Sequence, residues 1–275
     1  MSGLSDGVRE RLRGSQLANT PAARRLRSAV RAWRSVDAAF ADGAPEADGV
    51  LADLPAEFTA LHQRCAPFTM TSVERMHALY EAVRYVSAAH IPGDVVECGV
   101  WRGGSSMLAA LTLAQSGENR RLWLYDTFEG MPPPGEHDLR YTGEHAGESL
   151  DPAQRVAGAS NDWAYATLDD VRSNMASAGR DDDVEFVVGK VEDTIPARAP
   201  ESIALLRLDT DWYESTRHEL QHLYPRLAEG GVLIIDDYGH WQGARRAVDE
   251  YFRDRPILLN RIDYTGRIAI KPPAR

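Results

Sequence analysis

Hydrophobic and polar positions alternate in blocks along most of the chain. Short apolar runs at residues 94–98, 121–126, 183–189, 203–209 and 231–236 have strand length and composition. Segments 104–115, 163–178 and 215–228 lie between them and read as helices. Strands alternating with helices require crossover connections, and so predict a parallel sheet covered on both faces. Two further strand-like runs, 256–260 and 267–271, flank a turn at Gly266 and predict a closing antiparallel hairpin. Upstream, Thr71-Ser72-x-Glu74 opens a helix running to about Ala89, with Met76, Leu79, Tyr80 and Val83 on its buried face.

The flanks differ from this core. Residues 22–40 form a helical candidate, and residues 41–56 are rich in breakers and read as a linker. The expected division is an N-terminal helical extension and linker at 1–56 and a catalytic domain at 57–275. Residues 131–162 hold a proline triplet, several glycines and scattered charges. A segment that long without regular structure reads as a lid or as a disordered loop, and a lid is the expectation. It leaves the C-terminal side of the sheet, where such folds place ligands.

The chain has 275 residues and a net charge of −10, which disfavours broad contact with nucleic-acid phosphates. The charge is uneven. Residues 1–34 carry eight arginines and two acids, about +6, leaving about −16 on the rest. The segment is expected to serve assembly or the acidic body, because only Trp33 could add the aromatic stacking that an RNA-binding arm uses. No apolar run approaches a membrane span, and no apolar stretch follows the N-terminal arginines. The two cysteines, Cys65 and Cys98, form no paired motif, so a reducing cytoplasm is expected.

The chemistry concentrates at strand ends. Glu97, Asp126, Asp209 and Asp236 close four of the five parallel strands, with Asp211 and Asp237 close behind. Helix capping accounts for one or two such acids, not for both pairs. Glu97 runs into a glycine-rich turn, Gly99 to Gly104, and a helix start. The glycine spacing does not match a dinucleotide fingerprint. A carboxylate beside that turn suits a ligand ammonium, and Asp126 suits a ribose diol. Together they fit S-adenosylmethionine. Three or four carboxylates at adjacent strand ends repel one another without a cation, and oxygen donors favour Mg²⁺. A solvated acidic rim is the simpler reading for any single acid.

The runs VVECGVWRGGSS, LYDTFEGMP, LLRLDTDWYEST and GGVLIIDDYGHWQGARRAVDEYF closely resemble the TylF/NovP family. Its members are S-adenosylmethionine- and metal-dependent sugar O-methyltransferases of antibiotic biosynthesis, and the resemblance covers roughly residues 70–255. It implies a Rossmann-like α/β methyltransferase fold with seven strands, the last antiparallel, and a homodimer. It implies a metal on Asp209, Asp236 and Asp237, with Asp211 as general base. The same resemblance puts the cofactor on Glu97, Gly99, Trp101, Ser105 and Asp126, with 189–191 near the adenine. The neighbouring Thr71, Arg102, Gly103, Ser106, Thr127, Phe128, Gly189, Lys190, Val191 and Asp209 complete the expected cofactor shell.

The expected reaction is methyl transfer to a hydroxyl of a deoxysugar, on a glycosylated natural product or a nucleotide sugar. His240 is an auxiliary acid–base candidate, or a surface histidine. Trp212 and Tyr213 are candidates for a substrate wall or for packing. His137 and His145 are expected to face solvent within the lid. Three competing readings remain. Asp209-Thr210-Asp211 is formally an Asp-x-Asp motif and could serve a metal-dependent glycosyltransferase, but that leaves Glu97 and Asp126 without a role. A catechol-type O-methyltransferase shares the same metal logic. A non-catalytic scaffold would not need the second acid pair.

Overall fold

A computed structural model describes residues 53–149, 164–179 and 183–274. The expectations for the arginine-rich segment with Trp33, the helix at 22–40, most of the linker and residues 150–162 of the lid lie outside these residues.

Seven strands form one sheet: β1 (Asp94–Cys98), β2 (Leu122–Asp126), β3 (Val184–Val188), β4 (Ile203–Leu208), β5 (Leu227–Ile235), β6 (Asn260–Arg261) and β7 (Arg267–Ile270). Their spatial order is β3-β2-β1-β4-β5-β7-β6. The first five are parallel, and β7 lies antiparallel to β5. This is the expected Rossmann-like architecture. The order reverses between β1 and β4, which opens a crevice beyond the C-terminal strand ends. Every residue of β4 is buried, as expected of a central strand covered on both faces.

The helices are α1 (Ala56–Cys65), α2 (Val73–Ala88), α3 (Gly104–Gln115), α4 (Ala146–Ser149), α5 (Leu168–Ser177), α6 (Val191–Thr194), α7 (Tyr213–His222) and α8 (Gln242–Phe252). Helix α2 starts where expected, with Ser72 accepting from the Arg75 amide. Met76, Leu79, Tyr80 and Val83 are buried on one face. Helix α3 is buried nearly all round, because α2 and α5 pack over it and the sheet lies beneath.

Four boundaries differ from the sequence pattern. Helix α5, expected from 163, starts at Leu168, where Thr167 caps it by accepting from the Asp170 amide. Helix α7 stops at His222, because Pro225 turns the chain into a short 3₁₀ segment, Tyr224–Arg226. The strand expected at 231–236 begins four residues earlier, at Leu227. The first arm of the closing hairpin shrinks to two residues at the sheet edge, after Pro256.

The first half of the expected lid is a docked strap. Leu139 bridges His145, and Arg140 bridges Trp241. Tyr141 N donates to His240 O at 2.8 Å, and Gln242 N to Leu139 O at 2.8 Å. Asp138, buried, accepts from Gly135 N at 2.7 Å and Tyr213 N at 2.8 Å. Main-chain bonds to the loops after β4 and β5 thus supply the structure that the strap's composition lacks.

Candidate active site

The strands β1 and β4 bring two turns side by side. Asp209 N donates to Cys98 O at 2.8 Å, so the glycine turn and the acidic turn share a hydrogen bond. A Cβ on Gly99, which sits at φ +82°, would lie 1.9 Å from Asp209 O. Only glycine permits that contact.

On the β1 side, Glu97 is buried. Ser105 Oγ donates to its Oε1 at 2.6 Å, and Ser106 Oγ to its Oε2. Arg207 Nη1 adds a bond to Oε1 at 2.6 Å. Burial raises the Glu97 pKa and the guanidinium opposes that rise. Both oxygens are therefore already engaged within the protein, where the sequence suggested a carboxylate waiting for an ammonium. Asp126 accepts from Val100 N at 2.7 Å and Trp101 N at 3.1 Å through one oxygen, and from Phe128 N at 2.8 Å through the other. It shapes the glycine turn, and burial lifts its pKa against these amides.

The other expected cofactor residues divide. Trp101 and Phe128 adopt left-handed backbone beside Asp126. Gly189 N donates to Asp126 O at 3.0 Å, which brings Lys190 and the buried Val191 to the same edge. Thr127 closes its own turn onto Gly130 O at 2.7 Å. Gly103 caps α3 in left-handed conformation. Arg102 turns away, pairing with Asp170 on α5 at 2.9 Å. Thr71 accepts from Arg207 Nη2 at 3.0 Å.

On the β4–β5 side the acids regroup. One carboxylate oxygen from each of Asp209, Asp211 and Asp237 lies within 4.8 Å of the others. Asp236 stands apart. Its Oδ1 accepts from Arg207 at 2.6 Å, and its Oδ2 pairs with Arg75. Of the expected ligands, the structure brings Asp209 and Asp237 together, with Asp211 rather than Asp236 as the third acid. Successive residues leaving a strand point to opposite sides, so Asp236 and Asp237 diverge. Asp211 joins because its left-handed backbone, φ 65°, turns it back.

Burial pushes the Asp237 pKa well above the carboxylate range, and repulsion from Asp211 and Asp209 pushes it further. A proton or a cation is needed there. The donor set, three carboxylates, suits a hard divalent ion.

Arg207 ties the two halves together. It is 2 % exposed and pairs with Glu97, Asp209 (2.7 Å) and Asp236. Burial alone would lower its pKa, but Asp209 and Glu97 raise it, so it remains charged. Arg75 links Asp236 to Asp263 at 2.9 Å. The sequence pattern marked neither arginine. An arginine inside an apolar strand was the available signal for Arg207, since such a charge must be paired.

His240 Nδ1 lies 3.0 Å from Tyr264 Oη. Burial, then Arg140 and Arg75, lower its pKa to about 4, so it is uncharged at neutral pH. The rings of Tyr141, His240 and Tyr264 gather within 6.5 Å of one another, and both tyrosines are exposed. Trp212 and Tyr213 do not form an open wall. Trp212 packs on Trp241 and donates to Pro132 O at 2.9 Å, while Tyr213 Oη donates to Glu250 at 2.7 Å. His137 stacks edge-on against Tyr213, and His145 Nε2 lies 2.9 Å from Gly135 O, so both help to seat the strap.

A seven-stranded sheet in this order, with one antiparallel strand, is the fold of class I S-adenosylmethionine-dependent methyltransferases. The sequence profile of the Macrocin-O-methyltransferase (TylF) family matches residues 57–269, and the chain belongs to that family. It is 39% identical over 231 residues to the 8-demethyl-8-(2,3-dimethoxy-alpha-L-rhamnosyl)-tetracenomycin-C 4'-O-methyltransferase of Streptomyces olivaceus, covering 82% of this chain and 81% of that one. It is 35% identical to the demethyldecarbamoylnovobiocin O-methyltransferase of Streptomyces niveus, over 66% of this chain and 67% of that one. The solved structure of the O-methyltransferase NovP superposes with a TM-score of 0.64 at 32% identity, covering 75% of this chain and 83% of NovP.

Proposed function

We propose that this enzyme transfers a methyl group from S-adenosylmethionine to a sugar hydroxyl of a glycosylated natural product, with a divalent cation, Mg²⁺ first, at the acidic turn. The observation that carries the reading is the adjacency of the two turns. The Gly99–Asp209 contact sets the glycine turn directly against the Asp209–Asp211–Asp237 trio. The family and the named relatives supply the acceptor class: the relatives' names specify a rhamnosyl-tetracenomycin and a novobiocin precursor.

When bound, the cofactor supplies an electrophilic methyl and the cation supplies Lewis acidity toward the acceptor. The chain's residues do the rest. Asp126 and the amides around it shape the seat of the nucleoside. Asp209 and Asp237 would hold the cation. Asp211, turned into the same cluster, would accept the proton of the acceptor hydroxyl. The strap at 131–147 covers the acidic turn and excludes water. Uncharged His240, with Tyr264 and Tyr141, borders the acceptor's approach. Arg207 and Arg75 keep Asp236 neutralised beside the cluster.

The test is mass spectrometry of candidate glycosides and nucleotide sugars incubated with S-adenosylmethionine, with Mg²⁺ or with EDTA. A product heavier by one methyl, formed only with the metal, is expected. Transfer to nucleotide sugars but not to glycosides would move the reaction ahead of glycosylation. Undiminished turnover in EDTA would remove the cation from the mechanism. Cytoplasmic residence belongs to the same reading, supported by two buried free thiols. So does a homodimer, carried by family membership and open to light scattering.

A further inference from the structure

The mechanism above leaves one buried acid without a task. Glu219, on α7, is 0 % exposed. Thr210 Oγ1 donates to its Oε1 at 3.0 Å. The Cys98 thiol is its other polar neighbour. Burial drives its pKa well above the ordinary carboxylate range, and the bond from Thr210 opposes this only in part. A carboxyl in that position is an expensive core residue. Its hydrogen bond goes to the residue between Asp209 and Asp211.

That turn needs holding. Asp211 is a non-glycine residue at φ 65°, a conformation that persists only where its surroundings over-determine it. Thr210 is gripped at both ends. Its carbonyl accepts from Trp212 N at 2.7 Å and from Ser215 Oγ at 3.3 Å, and its side chain reaches down to Glu219. Asp211 N then donates to Asp237 Oδ2 at 3.2 Å.

We propose that Glu219 is a positioning residue. By holding Thr210 from beneath, it fixes the turn that sets the Asp209 carboxylate beside Asp237 for the cation and brings the Asp211 carboxylate to the same edge. The role rests on reading this acidic turn as a cation seat.

The test uses the full chain, with Glu219→Gln, Glu219→Leu, Thr210→Val and the Leu/Val double variant. Mn²⁺ affinity is measured without substrate by electron paramagnetic resonance, S-adenosylhomocysteine affinity by calorimetry, and kcat and KM separately. Glutamine is neutral and keeps a hydrogen-bonding partner for Thr210, so it should stay within about twofold of wild type in both Mn²⁺ affinity and kcat. Leucine and valine should each weaken Mn²⁺ binding by about 10-fold or more, the range seen for groups that orient metal ligands. Their S-adenosylhomocysteine affinity should stay within about twofold. The double variant should be no worse than either single one, because both remove the same bond.

Wild-type-like Mn²⁺ affinity in Glu219→Leu and Thr210→Val overturns the positioning role. So does parallel loss of cofactor affinity, which assigns Glu219 to general packing. If the leucine variant fails to fold, the isosteric Thr210→Val carries the test alone. Absence of Mn²⁺ binding by the wild-type protein overturns the cation reading instead.

Discussion

Glu97 and Arg207 are register partners on the neighbouring parallel strands β1 and β4, and their side chains meet at 2.6 Å inside the sheet. The same guanidinium reaches Asp209 and Asp236. One guanidinium is therefore shared by the buried acid of the glycine turn and two acids at the ends of β4 and β5.

Arg207→Met should destabilise the fold by ~3–5 kcal/mol, because it leaves buried carboxylates without their counter-charge. Arg207→Lys should fall between, since an ammonium cannot serve the same partners in a fixed fork. Urea midpoints of the three proteins check this. A methionine variant as stable as wild type would show that the network is dispensable.

Asp209→Asn and Asp211→Asn should fail differently. The first should lose cation affinity and turnover together. The second should retain cation and cofactor binding while single-turnover rates fall by ~10²–10⁴. If Asp211→Asn loses the cation as badly as Asp209→Asn, Asp211 is a ligand. The base is then to be sought at His240, which burial already keeps uncharged.

Gly243 starts α8 beneath the strap. A Cβ there would lie 2.1 Å from Asp138 Oδ1 and 3.1 Å from Tyr213 N. Gly243→Ala should break the Asp138–Tyr213 bond and loosen the strap. Faster limited proteolysis within 131–147 is expected, with turnover reduced and S-adenosylhomocysteine affinity retained. Unchanged cleavage would mean that the strap is seated without Asp138.

Both thiols should be silent in the folded protein. Burial raises the Cys65 pKa to about 11, against a smaller opposing pull from Arg64, and lifts Cys98 well above its usual value. Thiolate is the reactive form. Alkylation at pH 8 should therefore proceed slowly until denaturant is added, when two thiols should react. Rapid labelling of the native protein would contradict this burial.

The sheet was legible because its central strands are continuous apolar runs ended by acids, a signal carried by adjacent residues. The antiparallel final strand was legible from the two short runs around Gly266. The acids at the strand ends were legible for the same local reason. Their grouping was not. Whether Asp236 or Asp211 joins Asp237 depends on side-chain direction at a strand exit and on one left-handed residue, which spacing does not encode. Arg75 was hidden on an amphipathic helix, where an arginine usually faces water. The strap was read as structureless because its order comes from partners about 100 residues away in sequence, such as Tyr141 with His240 and Gln242 with Leu139.

The strap's seat has a consequence for divergence. Tyr141 N to His240 O and Gln242 N to Leu139 O are bonds between peptide groups, indifferent to side-chain identity. Outward-facing positions such as Tyr141 can change while the docking persists. The segment behaves as an interchangeable cassette clipped over a fixed reaction centre. If the proposed function holds, acceptor preference should be open to change there, by mutation or by grafting, while the cofactor half of the sheet stays as it is.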